Sequence, residues 1–336
     1  MKITFHGAAG EVTGSKHLLQ THNHNLLLDC GMHQGRRVEA YKLNSTLPFD
    51  PKSINDVILS HSHLDHCGML PVLVRDGFLG NIYATPATAE IAEYIMRDSA
   101  RVQEQDARFI CDKIDPTDPC QPIYTEEDAL KVESYFKPVP YYRLKPHWTQ
   151  VSDNIRFKYL DAGHILGSAM PVIEVTENST TKYIGFSGDI GKSGNPLLHD
   201  PESYTEELDA LILESTYGGR THRPLEQAVE DLVGIIKETA AKKGKIIIPA
   251  FALGRTQQLI YTLHKLTDEG RIPRMPIFID SPLAINITEV FKRHEDNYKD
   301  SANDGFTKPE EDPLSFRNLE YVETVDESKS LNNKKG

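Results

Sequence analysis

At 336 residues, 39% hydrophobic and 26% charged, the chain is long enough to bury a large core and most simply divides it between two domains. It contains no run of about 18 apolar residues that would span a bilayer. A net charge of -12 argues against a nonspecific nucleic-acid coat, though not against a nuclease whose metals and local basic groove hold the phosphates.

The start, MKITFHGAAGEVTGSKHLL, lacks a secretory apolar region. Cys30, Cys67, Cys111 and Cys120 are spaced without C-x-x-C, as expected of small buried or loop residues in a reducing compartment. The expected location is cytoplasmic, without membrane association. Short apolar runs then alternate with turns: KITFH, KHLLQT, NLLLDCG, DVILSHSH and NIYATP read as strands. GAAGEVTG has the glycines of a phosphate loop, but both its flanks are strand-like, so a hairpin turn is favoured over a loop that needs a helix behind it. Helical periodicity begins at TAEIAEYIMRDSARVQEQDARFI, with Ile91, Ala92, Ile95 and Val102 on one face. A polar stretch from 115 to 150 carries one short helix, EEDALKVESYF, and strands return with IRFKYLDAGH, MPVIEVT, KYIGFSGDIG and LDALILEST.

Near Thr216 the order changes to helix LEQAVEDLVGIIKETAAKK, strand KIIIPAFA, helix RTQQLIYTLHKLTDEG, strand MPIFIDS and helix NITEVFKRHEDNY, the alternation of an open parallel sheet. The expected domains are therefore 1–215 and 216–336. The charged tail DESKSLNNKKG shows no closing element.

The densest chemical signal is SHSHLDHC, residues 60–67. DVILS is a buried strand, and extended backbone leaving it puts His61 and His63 on one side, with Asp65 and His66 on the following turn. Imidazoles suit zinc or iron, and the added carboxylate suits a water-activating centre. With 14 histidines in the chain, composition alone would produce H-x-H-x-D-H in about one chain in a thousand. Four ligands from one loop cannot close two metal sites, so others must come from further strand ends. His164 in DAGHILGS and Asp189 in FSGDIG sit at such places.

Asp29 in LLLDCG, the HSHLDH cluster, His164 and Asp189 resemble the ordered motifs of the metallo-β-lactamase fold. ILESTYGGR, IIIPAFALGRTQQLIY and IFIDSPLA are similar to the β-CASP branch, which includes the cleavage and polyadenylation endonuclease and its bacterial and archaeal relatives. The resemblance runs from about residue 1 to 290. It implies an α/β chain, an αββα metallo-β-lactamase sandwich with an inserted β-CASP domain built on a parallel βα sheet. It also implies two zinc ions: His61, His63 and His164 would hold one, Asp65 and His66 the other, with Asp189 bridging. Asp29 would orient the ligand loop without binding metal, and Glu214 would match the acidic residue that partners a histidine acid further downstream. Asp65, Asp189 and Glu214 are the expected catalytic carboxylates.

The implied activity is hydrolysis of single-stranded RNA, endonucleolytic or 5′-exonucleolytic, by a metal-bound hydroxide. RNA is the expected partner, and a homodimer is left open. Two rivals share the ligand set: another hydrolase of the fold, acting on DNA or on a small thioester or lactone, and a truncated, inactive RNA-processing subunit. The family resumes its first domain after the insertion with two further histidine motifs. His294 is the last histidine here and neither motif surrounds it, so that return is expected to be missing and the second zinc to be weakly held.

Arg255, at the helix start in PAFALGRTQQ, is a candidate for a substrate phosphate, with a structural ion pair as the equal alternative. His22 and His24 share H-x-H spacing in a hairpin turn without a supporting acid, and solvent exposure is expected of both. His6, His17, His33, His147, His199, His222, His264 and His294 show no partner pattern and are assigned no role.

Overall fold

A computed structural model describes residues 1–113, 121–221, 223–303, 306 and 312–334. Cys120 and His222 lie outside them. Two compact units result: Met1–Ser193 with Asp200–Thr216, and Gly194–His199 with Tyr217–Gly336.

In the first unit, leucine-rich and β-branched runs, most of them buried on both faces, form two sheets. One contains β1 (Lys2–Phe5), β2 (His17–Gln20), β3 (Asn25–Leu28), β4 (Asp56–Ile58), β5 (Asn81–Ala84) and β6 (Phe136–Pro138) in that spatial order. The other has the order β11-β10-β9-β8-β7, from β7 (Thr149–Ser152), β8 (Ile155–Asp161), β9 (Ala169–Glu177), β10 (Thr180–Phe186) and β11 (Ala210–Ile212). β1 and β2 pair antiparallel, and the glycine-rich segment joins them as a hairpin connection, the His6 amide donating to the Lys16 carbonyl at 2.8 Å. Strands β3 to β6 run parallel. Their crossovers carry α1 (Arg37–Asn44), α2 (Leu64–Cys67), α3 (Leu70–Arg75), α4 (Pro86–Lys113) and α5 (Glu126–Val132).

The alternation of side chains along β2 to β4 decides the layering. Leu18, Leu27 and Val57 point to one face and pack with Leu70, Leu73, Ala92 and Met96 of the helices. Leu19, Leu26, Leu28 and Ile58 point to the other and meet Phe157, Tyr159, Ile173 and Ile184 of the second sheet. Each such side chain buried contributes about 1.5–3 kcal/mol, so a one-residue slip in register would exchange the two cores. The outer face of the second sheet carries Leu160, Met170 and Val172, packed against Tyr142, Trp148, Tyr204 and Leu208. On α4 the buried stripe is Ile91, Ala92, Met96 and Ala100, whereas Val102 is 49% exposed, against expectation. At about 100° per residue, Val102 falls near Ile91 but about 80° or more from Ala92, Met96 and Ala100, at the edge of a buried stripe that continues to Ala107 and Ile110.

The second unit contains α6 (Leu225–Ala241), α7 (Arg255–Asp268), α8 (Pro282–Arg293) and α9 (Val325–Leu331), with a parallel pair of strands, β12 (Ile277–Ile279) and β13 (Leu319–Tyr321). Val233 and Ile236 of α6 pack with Leu263 and Leu266 of α7. Two expectations are corrected. Residues 245–252 carry no strand assignment, and Ile247 and Phe251 are 90% and 86% exposed; β-branched composition supplies strand propensity, but the ladder needs a neighbour. The charged tail forms α9, opened by a capping box in which Thr324 and Glu327 each accept the other's backbone N–H. Cys30 and Cys67 are free and buried, as expected, but Cys111 is in a disulfide, which sequence spacing alone does not reveal.

Candidate metal centre

The chain leaves β4 through Leu59 and Ser60, and the end of that strand is pinned from the opposite sheet. The Tyr159 hydroxyl reaches the carbonyls of Leu59 and Tyr83 at 3.0 and 2.9 Å, and the Ala169 amide donates to the Ser60 carbonyl at 2.8 Å. His61 is fully buried, and His63 is the N-terminal flanking residue of α2, whose first turn carries Asp65 and His66. The Asp65 carbonyl accepts the Ser15 amide at 2.8 Å. It lies so close to Gly31 that a Cβ there would sit 1.6 Å from it, so residue 31 has to be glycine. His164 follows β8 in a turn closed by the Ser168 hydroxyl, which accepts the His164 and Ile165 amides at 3.1 Å each. Asp189 follows β10.

The three loops bring His61, His63, His164 and Asp189 together, each offering one ligand atom, with these atoms all within 4.8 Å of one another. His61 Nε2 is 3.1 Å from His63 Nδ1, and His63 Nδ1 is 3.3 Å from His164 Nε2. Asp189 Oδ2 is 3.8 Å from His61 Nε2 and 3.5 Å from His164 Nε2. A tetrahedral zinc with bonds of about 2.0–2.1 Å requires ligand atoms about 3.3 Å apart. The four separations bracket that value, so the donor set fits such an ion in both chemistry and spacing.

Asp189 also faces the other way. Its Oδ1 lies 3.3 Å from His66 Nε2, and Asp65 Oδ2 lies 3.8 Å from the same nitrogen. The second nitrogen of His66, Nδ1, donates to Asp29 Oδ2 at 2.6 Å. Asp29 is fully buried in the left-handed region at φ 58°, a conformation that aspartate tolerates better than most residues. Its Oδ1 accepts the Ser60 amide at 2.7 Å, and its Oδ2 also accepts the hydroxyls of Ser60 and Ser15 at 2.9 and 3.2 Å.

Electrostatics separate the histidines into two kinds. Burial, reinforced by the neighbouring imidazoles, holds His61 well below its ordinary pKa and His63 down to about 3, and burial likewise lowers His164. These three stay neutral, the form that ligates metal. Burial works against charge on His66 too, but Asp29 and Asp189 outweigh it and raise the imidazole to about 10. Burial would raise Asp189, yet His66 and the other histidines bring it down to about 2. Asp65 is raised by burial.

Glu214 accepts the amides of Ile190 and Thr216 at 3.2 and 3.0 Å, and its own amide donates to the Ser187 hydroxyl at 3.0 Å. Both its carboxylate oxygens thereby hold backbone, beginning with the residue after Asp189. Arg255 opens α7, exposed, and its guanidinium donates to Gln258 Oε1 at 3.5 Å. Among the described residues no ion pair engages it. His22 is exposed, but His24 corrects the expectation: its side chain is only 10% exposed and its Nε2 lies 3.2 Å from Asp56 Oδ2, an acid 32 positions away in sequence. Sequence reasoning missed Ser60 and Ser15 as partners of Asp29. A hydroxyl directly before the first ligand histidine is the one signal that pointed to Ser60.

Fold and cluster together define a unit of two sheets whose loops gather a His/Asp group that can hold a metal ion. Residues 10–250 match the metallo-beta-lactamase superfamily and residues 256–336 the Beta-Casp domain, and the chain belongs to this β-CASP branch of the superfamily. It is 34% identical over 336 residues to ribonuclease TTHA0252 of Thermus thermophilus, covering all of this chain and 71% of that protein. It is 30% identical over 332 residues to endoribonuclease YSH1 of Kluyveromyces lactis, covering 96% of this chain and 41% of that protein. With an RNase J-like protein of Methanocaldococcus jannaschii the identity is 32% over 292 residues, 86% of this chain and 60% of the relative. Among the described residues, no helix is long and apolar enough to cross a membrane.

Proposed function

We propose that this chain carries the catalytic centre of a zinc-dependent ribonuclease that hydrolyses phosphodiester bonds of single-stranded RNA. The observation that carries this reading is the divided Asp189 carboxylate, with Oδ2 toward His61 and His164 and Oδ1 toward His66. One carboxylate serving two ligand groups is what a two-metal site requires. His61, His63, His164 and Asp189 would hold one zinc, and Asp65, His66 and Asp189 the other. When bound, such ions supply Lewis acidity and water acidified towards neutral pH.

The chain's own residues do the rest. The three neutral histidines present unprotonated nitrogens, Asp29 holds His66 by Nδ1 so that Nε2, which would have to give up its proton to ligate, faces inward, and Glu214 fixes the turn bearing Asp189. That makes Glu214 a positioning residue. The names of the Thermus and yeast relatives bring RNA as the substrate class. Arg255, exposed and with no carboxylate bonded to it among the described residues, is the proposed contact for a substrate phosphate.

The test pairs metal analysis with cleavage. The protein is expected to retain zinc and to shorten end-labelled single-stranded RNA more than DNA of the same sequence, while a double variant, Asp65→Ala with His66→Ala, does neither cleavage. RNA cut equally by the double variant would refute the assignment.

A further inference from the structure

Ser60 is 1% exposed and lies between the two ligand groups. Its Oγ is 2.9 Å from Asp29 Oδ2 and 3.0 Å from His61 Nδ1. A carboxylate only accepts, and a serine hydroxyl has a single proton. That proton goes to Asp29, which leaves Ser60 Oγ only lone pairs to offer His61. His61 must therefore carry its proton on Nδ1. Its bare nitrogen is then Nε2, the atom that faces His63 Nδ1 at 3.1 Å and Asp189 Oδ2 at 3.8 Å. Asp29 Oδ2, the oxygen that takes the Ser60 proton, also takes that of His66 Nδ1.

We propose that Ser60 is a positioning residue that fixes the tautomer of His61 and, through one oxygen of Asp29, ties the ligand histidine of one group to that of the other. Gly188, at φ +49°, presses so closely that a Cβ there would lie 2.6 Å from Ser60 Cβ and 2.7 Å from its Oγ. The inference rests on the metal-centre reading above, and the experiment separates the two.

In metal-free wild-type protein, side-chain 15N NMR should show His61 protonated at Nδ1 and bare at Nε2. In Ser60→Ala the Nδ1 proton loses its acceptor, so the population shifts toward Nε2–H, and zinc affinity by chelator competition falls 10–100-fold, the range for removing such a support. Ser62→Ala is the control. Ser62 is a fully buried hydroxyl of the same loop with no hydrogen-bond partner among the described residues, so its loss should leave tautomer and affinity unchanged. An Nε2-protonated His61 in the wild type overturns the proposal, as does a Ser60→Ala protein with wild-type affinity and tautomer. The predicted tautomer in a protein that binds no zinc would support the Ser60 assignment and sink the metal-centre reading instead.

Discussion

Asp29→Asn exchanges one oxygen of a fully buried carboxylate for a donor. Asp29 accepts from four groups: the Ser60 amide and hydroxyl, the Ser15 hydroxyl and His66 Nδ1. An asparagine that keeps its oxygen on the Ser60 amide turns its NH2 toward the other three, all donors. The charge-assisted bond to His66 contributes about 1.5–3 kcal/mol, and a buried donor left without an acceptor costs about 1–3 kcal/mol. The expected loss is about 3–5 kcal/mol, the range for breaking a buried charge pair from one side. Urea melts of the metal-free protein measure it, and its pH dependence identifies the cause. His66 in the native state is raised above its ordinary 6.5 to about 10 by Asp29 and Asp189, despite burial. Its contribution is therefore complete below pH 6.5 and is lost as pH rises through about 10. The gap between wild type and Asp29→Asn should be widest near neutral pH and narrow toward pH 10. Zinc affinity should fall 10–100-fold, about 1.4–2.7 kcal/mol. A gap that stays constant from pH 6.5 to 10 would refute the argument that Asp29 acts by holding a charged imidazole.

The two proposed sites should differ in strength, because one gathers His61, His63, His164 and Asp189 whereas the other has Asp65, His66 and the shared Asp189. Dialysis against a chelator should strip one equivalent of zinc first, and Asp65→Ala should lose only that equivalent; equal retention of both in wild type would contradict this. His17 and His61 are buried and His63 and His164 partly buried, all with lowered pKa values, so unfolding lets them take up protons as pH falls below 6.5. Metal-free stability should decline there by up to about 1.4 kcal/mol per pH unit for each histidine, and a flat profile between pH 6.5 and 5 would count against their native burial as neutral groups. Arg255→Ala should weaken RNA binding and reduce its salt slope by about one phosphate contact; an unchanged slope would remove Arg255 from the interface.

Where burial follows a period, the sequence carried the fold. Leu26, Leu27 and Leu28 look alike as letters, but as alternating positions of β3 they serve two cores, and both cores are present. The same logic fails where structure depends on a neighbour. KIIIPAFA has the composition of a strand, yet among the described residues no ladder pairs with it, and Ile247 stands exposed. The tail failed for the opposite reason: its charge masked a local signal, Thr324 followed three residues later by Glu327, which starts a helix without needing a core. Val102 sits at the edge of the buried helical stripe, which continues past it to Ala107 and Ile110, so its exposure reflects its angle on the helix.

For the site, chemistry that lives in one loop was legible and chemistry that lives between loops was only partly so. H-x-H-x-D-H names four side chains because their spacing is set by a strand end and one helical turn, both local. His164 and Asp189 were found only because each sits where a strand meets glycines, and the distances that join them to His61 depend on sheet order, which no spacing encodes. Ser60 marks the limit of sequence reasoning. It stands in the quoted motif, but its consequence requires knowing that Asp29, 31 positions earlier, accepts its proton while His61, its immediate neighbour, turns Nδ1 toward it. A serine is an ordinary residue until two acceptor and donor partners from different strands fix which way its hydroxyl must point, and then the protonation state of the adjacent ligand follows from counting protons.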